Sequence, residues 1–485
     1  MITEDFHNEV VSESGLDSQK ASNGVEDLDD DGRPRRNGTL WTASAHILTS
    51  VIGSGVLAIP WTVRQLGWIA GPAALMIFSF ITLYTSILLT DCYRFPDPVY
   101  GKRNYTYREA VRANLGRTMF LVCGIVQYIT FVGLAVGFTI TASKSMGAIY
   151  RTNCYHKRGH EAPCEISDNF FAISFGIIEI VLSQIPNFHK LSWLSSIAAV
   201  TPFIYTLVGV VLSLAKIVSG KTGKTSLKGV VDDMNLSDAQ KVWRVFNALG
   251  DIAFAYSFSF ILIEIQDTIK SPGENKLMKK ATCIGVSTTT LFYMLCGCIG
   301  YAAFGNQAPG NMLTDFGFYE PFWLIDIANL CIMLHIVGAY QVFSQLLYAV
   351  FESWITKRCP KSKFITREFP ISITSKCFSF NYNFNVFRLT CRTAFVVFAT
   401  VMAMVIPFFN SILAFLGAIA YWPMTIYFPV EMYISQKKIR RFKFQWMVLQ
   451  LINVGCLLVS LAAICGSIQS LIGALGADNI FKFKQ

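Results

Sequence analysis

The stretch Ile47-Leu48-Thr49-Ser50-Val51-Ile52-Gly53-Ser54-Gly55-Val56-Leu57-Ala58-Ile59-Pro60 decides the fold. It is apolar enough to lie within a bilayer, yet two glycines flank Ser54 and Pro60 follows closely. Glycine weakens a helix and proline removes a backbone donor. In hydrocarbon, backbone groups freed in this way are tolerated only where they line a cavity or bind something. A helix that restarts at bilayer depth also presents a positive N-terminal dipole, suited to a carboxylate. Close packing of small residues, or a simple kink, would leave the same pattern. The binding-site reading is adopted here, with Ile52, Gly53, Ser54, Gly55 and Val56 as the contact residues.

Outward from that stretch the chain is membrane-like throughout. Of its 485 residues, 53% are hydrophobic and only 15% charged, against about a quarter charged in soluble domains. A spanning helix needs about 20 mostly apolar residues. Eleven such runs are found, at 40–64, 68–92, 119–148, 169–186, 191–217, 243–269, 280–304, 321–354, 387–407, 411–433 and 445–473. No Gly/Ser/Pro linker separates two cores, so one continuous membrane domain is expected. The net charge of +10 comes from Lys and Arg in short loops rather than from one basic patch, which argues against nucleic acid.

Those basic residues orient the chain, because cytosolic loops collect Lys and Arg. Residues 1–32 are acidic and polar with no apolar core, so a disordered cytosolic tail is expected rather than a signal peptide. Arg33, Arg35 and Arg36 then precede the first run and put the N-terminus inside. An odd number of runs puts the C-terminus outside. The loops around Arg94–Arg112, Lys276–Lys280, Lys357–Arg367 and Lys437–Arg441 agree; the loop at 218–242, with four lysines on the expected exterior, does not. Exterior placement makes a Cys154–Cys164 disulfide and a glycan at Asn235, in the sequon Asn235-Leu236-Ser237, physically reasonable. Free thiols and an unmodified loop are the alternatives.

Polar residues within the runs are the next candidates, since lipid makes them expensive. The sixth run carries Asp251, then Ala255-Tyr256-Ser257-Phe258-Ser259, then Glu264, Gln266 and Asp267. No glycine or proline interrupts its middle, so the sequence does not show a break there. Ser257 and Ser259 offer hydroxyls and Tyr256 and Phe258 apolar surface, although serines in such helices often bond to their own backbone. Glu264 and Asp267 are assigned to a gate at the cytosolic mouth. His46 and His335 are candidate proton-coupling groups because imidazole changes charge near neutral pH. Asp251, Asp326 and Glu179 are alternatives, as is neutral packing of both histidines.

Cys154, His156, His160 and Cys164 have the composition of a zinc site. In an exterior loop a disulfide beside solvated histidines is the preferred reading, so no metal is assigned. The sequence has no Walker loop, HExxH, GxSxG or dinucleotide fingerprint, which disfavours ATP-driven pumping and membrane-embedded catalysis. The chain is therefore not read as an enzyme.

Longer motifs add a resemblance. Trp41-Thr42-Ala43-Ser44-Ala45-His46-Ile47, Gly53-Ser54-Gly55-Val56-Leu57, Gly101-Lys102-Arg103-Asn104-Tyr105-Thr106-Tyr107 and Ser183-Gln184-Ile185-Pro186-Asn187-Phe188-His189-Lys190 resemble the plant amino acid permeases. So do Gly250-Asp251-Ile252-Ala253-Phe254-Ala255-Tyr256, Leu262-Ile263-Glu264-Ile265-Gln266-Asp267-Thr268, Cys296-Gly297-Cys298-Ile299-Gly300-Tyr301 and Tyr427-Phe428-Pro429-Val430-Glu431-Met432. These permeases belong to the amino acid/auxin permease family of the amino acid-polyamine-organocation superfamily.

That resemblance implies an all-α integral membrane protein of eleven transmembrane helices, a leucine-transporter-type 5+5 inverted repeat plus one extra helix. The implied division is a tail at 1–36, repeats at 37–217 and 243–435, an extracellular loop at 218–242, and an eleventh helix with extracellular C-terminus at 436–485. It further implies proton-coupled amino acid uptake across the plasma membrane by alternating access, with no cofactor beyond the co-transported proton. Partners would be the amino acid, the proton and lipid, with no nucleic acid and no second subunit required. Ile52–Val56 and Ala255–Ser259 would be unwound around the substrate, and Tyr128, Thr130, Gly133, Tyr340, Gln341 and Gly417 would complete the pocket. His46 and His335 match histidines of the family. This chain departs from it at Ala58-Ile59-Pro60-Trp61-Thr62-Val63-Arg64, where Arg64 adds a charge near the external mouth, and at Ser257-Phe258-Ser259. A facilitator or exchanger without proton coupling, and a non-transporting sensor, remain as alternatives.

Overall fold

The computed structural model describes residue 29 and residues 35–477, apart from 160, 165, 186–191, 234, 316, 376–377 and 407. Most of the acidic tail, the motif at 186–190, His160 and the last eight residues lie outside the described residues. Fourteen helices are labelled here: α1 Leu40–Val51, α2 Ile59–Asp91, α3 Tyr107–Leu115, α4 Arg117–Arg158, α5 Asp168–Ser183, α6 Ser192–Val218, α7 Asp238–Ala255, α8 Leu262–Asp267, α9 Glu274–Phe304, α10 Phe322–Arg358, α11 Val386–Val405, α12 Phe409–Ala420, α13 Phe428–Lys437 and α14 Phe444–Ala477. A π-helical segment, Tyr421–Tyr427, joins α12 to α13.

The helices face lipid in the way a membrane bundle must. On α14, Leu451, Val454, Leu458, Leu461, Ile468 and Ile472 are all exposed, an apolar stripe that water would penalise and hydrocarbon accepts. Polar side chains are turned inward instead, among them Thr82, Thr85 and Ser86 of α2, all fully buried. Thr85 donates to Ile81 O of its own helix at 3.0 Å, while the Thr82 and Ser86 hydroxyls meet those of Tyr421 and Ser259 on neighbouring segments. Nine stretches among the described residues are long and apolar enough to cross a membrane.

That figure and the eleven runs of the sequence part company at two places. Gly55–Asp91 is one continuous stretch by this measure, but Gly67 inside it has φ of 77°. A Cβ there would lie 2.3 Å from Gly229 N and 2.4 Å from Leu227 O. Only glycine combines that dihedral with that approach, and the chain turns there from the first run into the second. The other place is α5, whose 16 residues fall short of the length used.

Packing runs α2 along α9, α4 along α10, α10 along α6, and α7 against both α12 and α14. Two features depart from the all-helical expectation. Strands β1 Arg94–Phe95 and β2 Lys102–Arg103 pair briefly, and β3 Glu368–Ser375 pairs antiparallel with β4 Phe378–Asn385. The second hairpin was legible in Phe378-Ser379-Phe380-Asn381-Tyr382-Asn383-Phe384-Asn385, which alternates aromatic and polar residues with the period of a strand. It lies between spans and leaves the membrane domain all-α.

Candidate functional site

The first helix is broken where the glycines are. α1 stops at Val51; Ile52 and Gly53 leave helical geometry, with ψ of 78° and −164°. A 3₁₀ turn over Ser54–Ala58 then leads into α2, with Pro60 in its first turn, where a missing N–H costs nothing. The opening N–H groups of such a restart have no partner inside it.

A second break lies in the sixth run, without glycine or proline to cause it. α7 stops at Ala255, the chain unwinds through Tyr256, Ser257 and Phe258, and a 3₁₀ turn at Ser259–Ile261 restarts it into α8. Neighbouring helices hold it open. Gln127 Nε2 of α4 donates to Phe260 O at 3.4 Å. The Tyr256 hydroxyl donates to Thr290 Oγ1 of α9 at 3.2 Å, and Ser259 Oγ lies 3.3 Å from Ser86 Oγ of α2.

One side chain joins the two breaks. The hydroxyl of Tyr293, on α9, sits 2.7 Å from Val51 O and 2.8 Å from Ala255 O. Those are the last helical residues before each break, and Tyr293 is fully buried. A single O–H is shared between two carbonyls, so the two discontinuities are held as one unit. His335 of α10 approaches from another side. Its Nδ1 is 2.9 Å from Ala198 O, and a carbonyl only accepts, so in the neutral ring that nitrogen carries the proton. Nε2 is then an acceptor, 3.8 Å from where a Cβ on Gly53 would stand. Beside the second break, Phe343 of α10 packs on Phe260 and Phe131, with ring centroids 6.0 and 5.5 Å away.

The other sequence candidates are placed as follows. His46 lies on an exposed face of α1 and does not meet the breaks. Asp251 is buried on α7, its Oδ2 3.5 Å from Thr62 Oγ1 of α2. Ser257 Oγ donates to its own helix at Ala253 O, as does Thr130 Oγ1 to Val126 O. The Tyr128 hydroxyl is bonded by Arg108 beside the short helix α3, away from the breaks. Tyr340 packs its ring on Phe175 of α5, and Gln341 donates to Glu179 of the same helix, so both face α5. A Cβ on Gly133 would meet the Leu416 side chain at 2.0 Å, and one on Gly417 would meet Gly250 O at 2.3 Å and Phe254 N at 2.4 Å. Those two glycines therefore seat α12 against α4 and α7. Tyr293 and Phe343 escaped the sequence reading because each lies in an apolar run with nothing to mark it.

At the end of the bundle holding Arg36, several contacts tie neighbouring segments together. Asp267 Oδ1 accepts from the Tyr93 hydroxyl at 2.6 Å and lies 3.9 Å from Arg103 Nη1. Burial, and then the charge of Asp267, raises the Tyr93 phenol's pKa, so it stays a donor. Glu264 accepts from the backbone N of Tyr107 at 3.0 Å and, among the described residues, forms no ion pair, so it caps α3. Gly38 pairs with Ile269 as a parallel β-bridge, its N donating to Thr268 O and its O accepting from Lys270 N. At the opposite end Arg64 Nη1 donates to Ala308 O at 3.1 Å and Met312 N to Leu57 O at 3.2 Å. There also Cys154 and Cys164 are disulfide-bonded, His156 stacks on Phe322, and Asn235 is exposed in a turn before α7.

Two helices unwound side by side and clasped together, inside a bundle whose outer face is apolar, define an integral membrane transporter. The chain belongs to the transmembrane amino acid transporter family, whose model matches residues 36–473. It is 54% identical over 477 residues to amino acid permease 1 of Arabidopsis thaliana, covering 98% of each chain. It is 56% identical over 451 residues to amino acid permease 6 of the same plant, covering 92% of this chain and 93% of the relative. At greater distance, lysine histidine transporter-like 1 is 29% identical over 454 residues, 90% of this chain and 89% of the relative. The protein is thus a multi-pass membrane protein of amino acid transport.

Proposed function

We propose that this protein imports amino acids across the plasma membrane together with protons, by alternating access. The observation that carries the reading is the pair of breaks joined by Tyr293, with the His335 imidazole turned on Gly53. In this reading the backbone N–H groups that restart the first helix bind the substrate carboxylate. Carbonyls of the unwound stretch at 256–258 take the ammonium, and Phe131, Phe260 and Phe343 meet the side chain. His335 takes a proton at Nε2 while Nδ1 keeps its bond to Ala198 O. Binding of proton and substrate to one state in preference to the other is what couples them.

The repeats in this proposal are residues 37–217 and 243–435, each opening with its broken helix, and the helix after 436 stands outside them. The N-terminus is cytosolic and the C-terminus extracellular, so the contacts of Asp267, Tyr93 and Gly38 form the inner gate and those of Arg64 the outer one. The chain needs no cofactor and no second subunit. The test is uptake of a labelled amino acid by uptake-deficient yeast at varied external pH. Uptake is expected to rise as external pH falls and to collapse with an uncoupler. Uptake indifferent to both would leave a facilitator or exchanger, and binding without flux a sensor.

A further inference from the structure

Away from both breaks, another ionisable group is buried in the bundle with no opposite charge paired to it among the described residues. Glu179 of α5 is 0% exposed. Its Oε2 accepts from Gln341 Nε2 of α10 at 2.6 Å, and its Oε1 is buried without a partner among the described residues. Gln341 is a neutral amide; it also donates to Ser183 Oγ at 3.1 Å and accepts from Gln345 at 3.2 Å. Among the described residues, Arg392, Lys144 and Arg151 on the helices packed against α5 are held by other partners. Arg392 of α11 donates to Ser183 O at 2.7 Å and pairs with Glu352 at 2.7 and 3.2 Å. Tyr348 of α10 stays on Ser183 Oγ at 3.2 Å, while Tyr340 packs its ring on Phe175 and keeps a buried hydroxyl with no hydrogen-bond partner among the described residues. On α4, Lys144 is held by Asp315 and Arg151 by Asp168.

An ionised carboxylate in that setting would be an uncompensated charge in the interior; one bound proton removes the charge. We propose that Glu179 is a proton-binding residue of the transport cycle, with Gln341 relaying its charge state to α10. Six residues away on α10 stands His335, whose Nε2 faces the first break. Gln341 Nε2 also donates to Ser183 Oγ, which meets the Tyr348 hydroxyl, so these contacts run from Glu179 toward the end of the bundle that holds Arg36. Loss of the proton leaves a bare carboxylate that recruits the Gln341 amide more strongly. The charge state of α5 thereby biases the position of α10 against the first break. This inference rests on the proton-coupled reading above.

The experiment compares the wild-type chain with Glu179→Gln, which keeps the shape and loses the titration. In membrane vesicles, accumulation of labelled amino acid driven by an imposed pH gradient is set against counterflow, in which labelled substrate exchanges with unlabelled. The ratio of accumulation to counterflow is expected to fall at least tenfold in Glu179→Gln and to recover in part in Glu179→Asp; a wild-type ratio overturns the proposal. Should Glu179→Gln fail to reach the membrane, Gln341→Leu decides, because it removes the amide that donates to the carboxyl. A shifted pH midpoint of uptake is expected, and an unchanged midpoint overturns the proposal. If the wild-type chain accumulates nothing against a pH gradient, proton coupling itself has failed, which is a separate result.

Discussion

The two breaks reach the same geometry by opposite routes. The first is written locally, in Gly53, Gly55 and Pro60, residues that weaken a helix wherever they stand. The second, at Tyr256, Ser257 and Phe258, has no helix breaker and is imposed from outside by α2, α4 and α9 through Ser86, Gln127, Thr290 and Tyr293. One discontinuity is thus a property of the segment, and the other a property of the assembled bundle. Substitutions at neighbours should damage the second break more than substitutions within it, and the first should respond to its own residues.

The largest effect is expected where α12 meets α7. At Gly417 the obstructing atoms are backbone, 2.3 and 2.4 Å from a Cβ, and backbone does not yield as a side chain does. Gly417→Val should cost more than about 3 kcal/mol by overpacking and abolish both uptake and membrane abundance, measured by transport assay and immunoblot. Next, Tyr293→Phe keeps the ring but takes the hydroxyl from Ala255 O and leaves Val51 O with Gly53 N. A penalty of about 1–3 kcal/mol corresponds to roughly 5- to 150-fold lower uptake at low substrate, with abundance preserved. Uptake at the wild-type level would show that the breaks are not clasped through this hydroxyl.

Gly53→Ala sharpens the comparison, because a methyl there meets nothing nearer than His335 Nε2 at 3.8 Å. Any loss reflects helix preference rather than collision, about 1 kcal/mol, or roughly fivefold in uptake. The smallest effect belongs to Ser257→Ala in the second break. That hydroxyl only donates to Ala253 O in its own helix, so uptake should stay within about twofold. If Ser257→Ala proved more damaging than Gly53→Ala, the assignment of local and imposed breaks would be reversed.

How much was legible in the sequence follows the same division. The spanning runs and the first break could be read because hydropathy and glycine are local signals. Tyr293 could not, since a tyrosine in an apolar run gives no sign of which carbonyls its hydroxyl will meet. Gln341 and Tyr340 were assigned to the pocket and face α5 instead, because one step along a helix turns a side chain by about 100°, from 3.6 residues per turn. Phe343, a few residues further along, is the one that meets Phe260. His46 and His335 look alike as intramembrane histidines, yet one is exposed and the other points at Gly53. Sequence names the residue type, and helix rotation in the assembled bundle decides its neighbours.

The bridge between Gly38 and Ile269 is made by peptide groups alone. Side-chain replacements at 269 and 270 therefore leave its bonding groups intact, whereas any at 38 would put a Cβ 2.4 Å from Thr268 O. Sequence opposite Gly38 can drift while the latch persists, and a residue without an amide hydrogen removes one of its two bonds. Proline at position 38 or 270 is therefore the molecular scissors for unfastening the leading end of the first helix from the trailing end of the sixth.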